Sequence, residues 1–290
     1  MFAQVVSTLF SSATLQHSQR LLGGVSADVY RLDLVDTHGQ PNSVVVRVHG
    51  ATHGGHDAQL EYDLLQALHD LGLPVPRPLA VDVSGALLPH PFLVIAFVEG
   101  TSGVPDTLGE HCVHAMAEML ARIHRPVPSG FPELPVRTNP LPELFDFFPE
   151  GQEWQPLHDH LRTLQDTAYH GPHQLLHGDF WPENLLWQGP QIAAVLDWED
   201  AAVGDPHADV AGVQVELRYL FGQPVMERFL QAYAGTQALD RRRLALWQIY
   251  VAAAADRYMD DWDLPAERLA RMHREARASI REAGALLLGS

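Results

Sequence analysis

The chain has 290 residues, of which 46% are hydrophobic and 19% are charged, a composition typical of a globular protein. Its 36 acidic and 19 basic residues give a formal charge of −17, which argues against nucleic acid or an anionic membrane as a partner. All of the basic residues are arginines, so mechanisms that require a lysine, such as a Schiff base or a Walker-type phosphate loop, are excluded.

Three features of the sequence predict a cytoplasmic protein that does not bind membranes. The single cysteine, Cys112, excludes an internal disulfide and favours a reducing compartment. The first residues, MFAQVVSTLFSS, lack the positive charge that opens a signal peptide. The apolar run FLVIAFV at residues 92–98 is far too short to span a bilayer.

The first hundred residues alternate in the manner of strands. A bend at Gly23 and Gly24 precedes VYRLDLV at residues 29–35, where alternating apolar and polar side chains predict a half-buried strand. Turn residues then separate this strand from a second one, SVVVRVHG at residues 43–50, so the two strands are expected to form a hairpin.

One helix and two more strands complete the predicted N-terminal lobe. The helix is expected from about Asp57 to Leu71 and is ended by Gly72. The strands are LAVDV at residues 79–83 and PFLVIAF at residues 91–97, which together predict a small lobe with a mixed antiparallel sheet. The apolar stripe of the helix comprises four leucines at helical spacing: Leu60, Leu64, Leu68 and Leu71.

From Glu99 onward the pattern becomes helical. Thr107 and Glu110 have the spacing of a capping box ahead of a helix. Seven prolines in residues 125–151 exclude a regular element and favour a long surface loop that lines a site. Three or four helices are expected after LLHGDF at residues 175–180, so the predicted fold class is α+β.

Two polar segments, LLHGDFWPENLLW at residues 175–187 and DWEDAAVGDPHADV at residues 197–210, carry the candidate chemistry. Asn184 and Asp197 are expected at the same open end of a hairpin, and Asp179 lies five residues before Asn184. An amide and two carboxylates offer the oxygen ligands that Mg²⁺ prefers. Each aspartate alone is more often a turn residue or a helix cap, but the three residues together favour a functional site.

The segment HGDFWPEN has the His-x-Asp-x4-Asn spacing of kinase catalytic loops. Together with DWEDAAVGDPHAD it resembles the aminoglycoside phosphotransferase family, whose relatives include choline, homoserine and fructosamine kinases. The resemblance implies a bilobal protein-kinase-like fold, with a nucleotide-binding lobe at residues 1–98 and a mainly helical lobe at residues 99–290 that contains the catalytic loop and the acceptor site. It also implies ATP or GTP with Mg²⁺ as cofactors and a small-molecule hydroxyl as acceptor.

The resemblance assigns roles to individual residues. Asp179 is the expected catalytic base, and Asn184 and Asp197 are the expected Mg²⁺ ligands. Asp205 and Asp209 are expected to brace the catalytic loop. The expected nucleotide contacts comprise a bend over the phosphates, an arginine with its acidic partner and the segment that meets adenine: Gly23, Gly24, Ser26, Arg47, Glu61, Phe97 and Val98.

Arg47 and Glu61 are also expected to meet on physical grounds. Arg47 interrupts a run of four valines and needs an anion, while Glu61 shares a helix stripe with Leu65 and Leu68 and needs a cation. Arginine stands where the family usually has a lysine, and its guanidinium binds phosphate oxygens bidentately. A purely structural ion pair is the alternative interpretation.

Histidines and acidic residues elsewhere give two weaker patterns. His49, His53 and His56 are interpreted as solvated loop residues rather than a metal site. The segment ADRYMDDWDL at residues 255–264 predicts either a solvated helix end or a site for a cationic hydroxyl compound. In the second interpretation the substrate contacts include Asp260, Asp261 and Trp262.

Two alternatives to a small-molecule kinase remain open. One is a catalytically impaired nucleotide-binding protein of the same fold, which the missing lysine favours. The other is a metal-dependent phosphohydrolase. A protein kinase is disfavoured, because Asp197 and Asp209 are only twelve positions apart and leave little room to bind an extended peptide.

Overall fold

The computed structural model describes residues 1–21, 27–50, 55–103, 110–262 and 264–289. The chain divides into two compact units. The N-terminal unit comprises Met1–Gly103, Ser129–Glu133 and Glu183–Asp200, and the C-terminal unit comprises Val104–Pro128, Leu134–Pro182 and Ala201–Ser290.

The helices and strands that the structure describes are numbered in chain order. The helices are α1 (Phe2–Leu9), α2 (Ala58–Asp70), α3 (Glu110–Ile123), α4 (Leu141–Leu144), α5 (Gln155–Thr163), α6 (His207–Phe221), α7 (Gln223–Ala234), α8 (Arg241–Tyr258) and α9 (Ala266–Leu288). The strands are β1 (Ala13–Arg20), β2 (Ala27–Asp36), β3 (Pro41–His49), β4 (Pro78–Asp82), β5 (Phe92–Ala96), β6 (Thr101–Ser102), β7 (Val136–Arg137), β8 (Gln174–Leu176), β9 (Leu185–Gln188), β10 (Gln191–Val195) and β11 (Ala202–Gly204).

The main sheet of the N-terminal unit has the antiparallel strand order β1-β2-β3-β5-β4. Leu32 of β2 is paired with Val44 of β3, and both side chains are buried, so the alternation in the sequence correctly identifies the core face of this hairpin. The sequence did not predict α1, whose Val5 and Val6 pack into the same core.

Helix α2 begins and ends as the sequence predicts. The Asp57 side chain accepts a hydrogen bond from the backbone three residues later, and Gly72 follows the helix with a φ of 75°. Leu64 and Leu68 are buried as expected. Leu71 is instead half exposed, because it lies at the C-cap beyond the last turn that packs against the sheet.

The structure divides the chain differently from the predicted boundary at residues 98 and 99, because the segments 99–103 and 183–200 belong to the N-terminal unit. Strand β9 lies between β10 and β6 in a second sheet, so strand pairing holds these segments together. The N–H of Val195 also donates to the carbonyl of Pro74 at 2.7 Å.

The C-terminal unit contains helices α3 to α9 and a small sheet with the order β7-β11-β8. Strand β11 is parallel to β7 and antiparallel to β8. Gly204 permits this close pairing, since a Cβ at that position would lie 2.0 Å from the carbonyl oxygen of Arg137. Within the described residues, four α-helices follow the LLHGDF segment, as the sequence predicts, and α6, α8 and α9 contribute to a core that includes Val215, Ile249 and Ile280.

Only one of the two residues of the predicted capping box lies within the described residues. Helix α3 begins at Glu110, and Thr107 lies outside the described residues. Among the helices in the described ranges, none combines the length and apolar character needed to cross a membrane.

Candidate active site

Arg47 is the centre of a charged network in the N-terminal unit. Its Nε lies 3.3 Å from Oε1 of Glu61, which projects from α2. Its Nη2 donates to Oδ1 of Asp197 at 3.0 Å and to Oε2 of Glu199 at 3.3 Å. The predicted contact between Arg47 and Glu61 is therefore present, and the sequence did not identify Glu199 as a further partner.

Burial makes this network energetically significant. Only 1% of Glu61 is exposed, and a carboxylate removed from water requires a cation. Burial acts to lower the pKa of Arg47, but the charges of Glu61, Asp197 and Glu199 outweigh it and raise that pKa above its ordinary value. Arg47 therefore stays charged, as a phosphate-binding group must.

His49 completes the same cluster and corrects the prediction that it is a solvated loop residue. It is the last residue of β3, it is buried, and its Nε2 lies 2.9 Å from Oε2 of Glu61. Positions two apart on a strand face the same side, so Arg47 and His49 both reach Glu61. His53 lies outside the described residues, and His56 is half-buried.

Asn184 and Asp197 are brought together by the β9–β10 hairpin. The backbone N–H of Leu196 donates to the carbonyl of Asn184 at 2.8 Å. This hydrogen bond joins the two chain ends of the β9–β10 hairpin, where the sequence predicts that Asn184 and Asp197 lie together. Asp197 has a φ of 60°, a left-handed conformation that is uncommon for residues other than glycine. Such a conformation turns the chain sharply after β10 and is often found at functional sites.

The residues at this hairpin end fit a Mg²⁺ ion. Asn184 and Asp197 supply an amide and a carboxylate, which are oxygen ligands. Within the described residues, no group of three or more His, Cys, Asp or Glu side chains is arranged to hold a metal by itself. Two protein oxygens leave the other octahedral positions to water and phosphate, which is the usual manner of Mg²⁺ binding in phosphotransfer enzymes.

The nucleotide contacts predicted elsewhere are only partly described. Phe97 follows β5; its N–H donates to the carbonyl of Ser43 at 3.3 Å, and the Arg31 guanidinium lies 4.2 Å from its ring centroid. Val98 is half-buried. The residues of the predicted phosphate-covering bend lie outside the described residues: Gly23, Gly24 and Ser26.

In the C-terminal unit, Asp209 anchors the loop that carries Asp179. Its Oδ2 accepts the backbone N–H of His177 at 2.6 Å, and its Oδ1 accepts that of Gly178 at 3.0 Å. Nε2 of His124 lies 3.1 Å from the same carboxylate. Burial acts to raise the pKa of Asp209, but the hydrogen bond and charge of His124, with those of His177, outweigh it and lower that pKa.

Asp205 has a different role from the loop brace that the sequence predicts. Its fully buried carboxylate accepts hydrogen bonds from Trp247 Nε1 at 2.6 Å and from Arg243 Nε at 2.8 Å. Nδ1 of His207 lies 2.7 Å from its other oxygen. Burial raises the pKa of Asp205, and these partners lower it by more, so the carboxylate stays charged and fixes α8 against the start of α6.

Asp179 lines a cavity of about 130 Å³ within the C-terminal unit. A cavity of roughly 150 Å³ holds one benzene molecule, so this space accommodates one end of a small molecule. Arg137 comes from the proline-rich segment, which the sequence predicted to line a site. The prediction that this segment contains no regular element is wrong, because it forms the short elements β7 and α4. Six of the other lining residues are aromatic or charged: Arg137, Phe180, Asp209, Glu216, Trp247 and Tyr250.

A row of aromatic rings continues from this cavity. The ring centroids of Trp247 and Tyr250 are 5.5 Å apart, and those of Tyr250 and Phe147 are 5.2 Å apart. The next pair, Phe147 and Tyr258, is separated by 6.3 Å. The Tyr250 hydroxyl donates to Oε2 of Glu143 at 2.6 Å, which fixes the ring at the cavity wall.

The acidic residues in the last turn of α8 and just after that helix are partly neutralised. Asp256 lies 2.6 Å from Nδ1 of His273, and Asp260 lies 3.0 Å from its Nε2. Burial acts to lower the pKa of His273, but these two carboxylates outweigh it and raise that pKa. Asp261 and Trp262 are exposed.

Comparison with known proteins identifies the family. The model of the phosphotransferase enzyme family matches residues 17–247. Viomycin phosphotransferase from Streptomyces vinaceus is 28% identical over 193 residues, which are 58% of this chain and 64% of that protein. The chain spans only 16%, 64% and 49% of the lengths of the first curated relatives that it matches.

Two solved structures show the fold. Choline kinase LicA from Streptococcus pneumoniae has a TM-score of 0.66 at 18% identity, covering 97% of this chain and 98% of that one. A thermostable mutant of an aminoglycoside phosphotransferase, in ternary complex with AMP-PNP and hygromycin B, has a TM-score of 0.65 at 15% identity, covering 98% of each chain. The predicted α+β, protein-kinase-like fold is confirmed. Because the family model spans more than half of the chain, the protein belongs to the phosphotransferase enzyme family.

Proposed function

We propose that this protein transfers the γ-phosphoryl group of ATP, or of GTP, to a hydroxyl of a small molecule. The observation that carries the proposal is the anchoring of the catalytic loop. Asp209 binds the backbone N–H groups of His177 and Gly178 and so holds Asp179 at a small cavity. A carboxylate fixed at a cavity of this size suits a general base that receives a proton from a bound hydroxyl.

Asp179 is proposed to orient the acceptor hydroxyl and to take its proton. The acceptor oxygen forms a bond to the γ-phosphorus while the bond from that phosphorus to the β,γ-bridging oxygen breaks. The products are a phosphate monoester and a nucleoside diphosphate, and the Asp179 carboxylate accepts the proton of the hydroxyl. Little covalent chemistry is required of the protein, so positioning and charge stabilisation provide most of the catalysis.

Arg47 is proposed to bind the nucleotide phosphates, and Asn184 and Asp197 are proposed to hold Mg²⁺ against them. When Mg²⁺ is held by Asn184 and Asp197, it neutralises charge on the phosphate oxygens. The ion pair of Arg47 with Glu61 keeps the guanidinium fixed and charged. The remaining proposed nucleotide contacts are a phosphate-covering bend and an adenine-binding backbone: Gly23, Gly24, Ser26, Phe97 and Val98.

The acceptor is proposed to be a cationic hydroxyl compound. Glu216 offers a carboxylate at the cavity, and Trp247 and Tyr250 offer aromatic rings that favour a cation through cation–π contact. The aromatic row leads to Tyr258, immediately before the acidic segment after α8. A longer acceptor is therefore proposed to reach the exposed residues of that segment: Asp260, Asp261 and Trp262.

A panel of hydroxyl compounds tests this function. Purified protein is incubated with ATP and Mg²⁺ and either no acceptor, neutral alcohols, or cationic amino alcohols and amino sugars of matched size. Nucleoside diphosphate release is measured together with ³¹P NMR of the products. Acceptor-dependent formation of a phosphate monoester supports the proposal. Release of inorganic phosphate alone would instead indicate a phosphohydrolase, and nucleotide binding without turnover would indicate an impaired enzyme.

A further inference from the structure

A second cavity in the C-terminal unit shares no lining residue with the cavity beside Asp179. Its volume is about 890 Å³, within the range of roughly 300–1,000 Å³ typical of small-molecule sites. Residues of α6, α7, α8 and α9 line it. The two cavities use different positions of α6: Gly212 and Glu216 line the first, and Gln214 lines the second.

Gln214 is an unusual lining residue, because only 6% of it is exposed and its Oε1 accepts no hydrogen bond from the described residues. An unpaired buried acceptor costs about 1–3 kcal/mol, so native proteins contain few of them and each requires an explanation. Gln248 of α8 lines the same cavity, is 7% exposed, and donates through Nε2 to the carbonyl of Ser279 at 3.3 Å. Two buried amides therefore face one cavity.

The other lining residues indicate the chemistry of a ligand. Leu230, Leu239 and Leu244 give the cavity apolar walls. Of the lining carboxylates, Glu282 accepts Arg218 Nη1 at 2.6 Å and Nη2 at 3.0 Å. Glu227 accepts the side-chain amide of Gln223 at 2.7 Å. Arg241 also lines the cavity, so its lining carries charges of both signs and favours a neutral ligand over a cation.

We infer that this cavity, lined by Gln214 and Gln248, is a second small-molecule site that binds a neutral compound with an apolar body and an N–H or O–H donor. The ligand donor satisfies Oε1 of Gln214, which accepts no hydrogen bond within the part of the chain that the structure describes. The leucine side chains contact the apolar body, and the Gln248 amide accepts or donates a second hydrogen bond. The site is separate from the acceptor cavity, so it does not depend on the function proposed above.

N-butylacetamide is a suitable probe, because it combines one amide N–H with an aliphatic chain. Its N-methylated analogue, N-butyl-N-methylacetamide, lacks the donor and serves as the matched ligand. Binding is measured by NMR titration of both compounds. The wild-type protein is expected to bind the N–H compound about two- to tenfold more tightly, the value of one net hydrogen bond.

Two variants locate the binding and keep the proposal testable. Gln214→Leu is expected to fold, because it removes an unpaired buried acceptor, and to lose the preference for the N–H compound. Ala238→Trp places a large ring at an exposed lining position and is expected to weaken binding of both compounds. Ala285→Trp, at an exposed position of α9 that does not line the cavity, is the matched control and is expected to bind as wild type does.

The opposite results overturn the inference. Absence of saturable binding to the wild-type protein excludes a site for this class of compound. Equal binding by wild type and Ala238→Trp shows that the probe binds elsewhere. A preference for the N–H compound that survives in Gln214→Leu removes the role assigned to the glutamine.

Discussion

Replacement of Asp209 by asparagine is expected to loosen the loop that carries Asp179. The carboxylate accepts two backbone N–H groups through different oxygens and also meets His124, and all of these groups are buried or half-buried. An asparagine has one carbonyl oxygen and one NH₂ group. At least one of the donors that now meets a carboxylate oxygen must therefore face another donor.

The magnitude follows from the groups left unpaired. Each unsatisfied buried donor costs about 1–3 kcal/mol, so one or two of them predict a loss of about 2–4 kcal/mol in the free energy of unfolding for Asp209→Asn. Asp159→Asn is the control, because Asp159 is exposed and its carboxylate contacts the side chains of Gln155 and His158 on the same helix. This change is expected to stay within about 0.5 kcal/mol.

Urea unfolding followed by circular dichroism measures both variants. The folded-state pKa of Asp209 lies below its ordinary value of 3.8, so its charge contributes stability above that pH and the contribution is lost as the pH falls through the lowered pKa. The difference between wild type and Asp209→Asn should therefore be full near neutral pH and shrink below pH 3.8. Equal stabilities of Asp209→Asn and Asp159→Asn at neutral pH would refute the anchoring role.

Three further sets of variants test other parts of the structure. Arg47→Ala and Glu61→Ala are each expected to raise the KM for ATP. The double variant should lose less apparent binding free energy for ATP than the sum of the two single losses. Strict additivity of these losses would show that the two side chains are uncoupled. Asp197→Ala should weaken nucleotide binding more with Mg²⁺ than without it, and equal weakening in titration calorimetry contradicts the ligand role. Gly204→Ala should lower the melting temperature, because its Cβ would meet backbone 2.0 Å away, with a cost of about 1–3 kcal/mol or more. Gly212 lies in α6, and a Cβ added there would have no atom within 4 Å apart from the backbone of its own helix and its chain neighbours. Gly212→Ala should therefore leave the free energy of unfolding unchanged or raise it by up to about 1 kcal/mol. Equal melting temperatures for Gly204→Ala and Gly212→Ala would contradict the close approach at Gly204.

The local spacing of apolar and polar residues was sufficient to predict the elements in which buried side chains recur at the period of the strand or helix. The β2–β3 hairpin alternates along residues 29–35, and α2 has a cap and a terminating glycine, so both were identified correctly. The contact between Arg47 and Glu61 was also predictable, because a charged residue at a buried position requires a partner of opposite charge.

The rest of the charged network depends on information that a local pattern does not contain. His49 follows Arg47 by two positions, so both side chains lie on the same face of β3. The glycine-rich sequence that follows His49 indicated a loop, and the prediction followed that second signal. Glu199 reaches Arg47 from the turn after β10, in which Asp197 adopts a left-handed conformation. No feature of the sequence around Asp197 specifies that conformation.

The walls of the acceptor cavity were the hardest part to predict. Arg137 is placed by a two-residue strand, β7, that pairs in parallel with β11 more than sixty positions later in the chain. Pairing between strands so distant in sequence is decided by tertiary packing and not by the propensity of either segment. In the sequence, Trp247 and Tyr250 resemble ordinary helix residues. Their position at the cavity depends on Asp205, which accepts a hydrogen bond from Trp247 and so fixes α8.

Phosphoryl transfer by wild type and Asp179→Ala, with an acceptor identified from the panel, tests the proposed function most directly. Product formation is followed by ³¹P NMR, and ATP affinity is measured in parallel by titration calorimetry. We expect the variant to retain ATP affinity while transfer falls by about 10²–10⁴-fold, the usual effect of losing a general base. Near-normal transfer by Asp179→Ala would contradict the assignment of Asp179 as the base at the acceptor cavity.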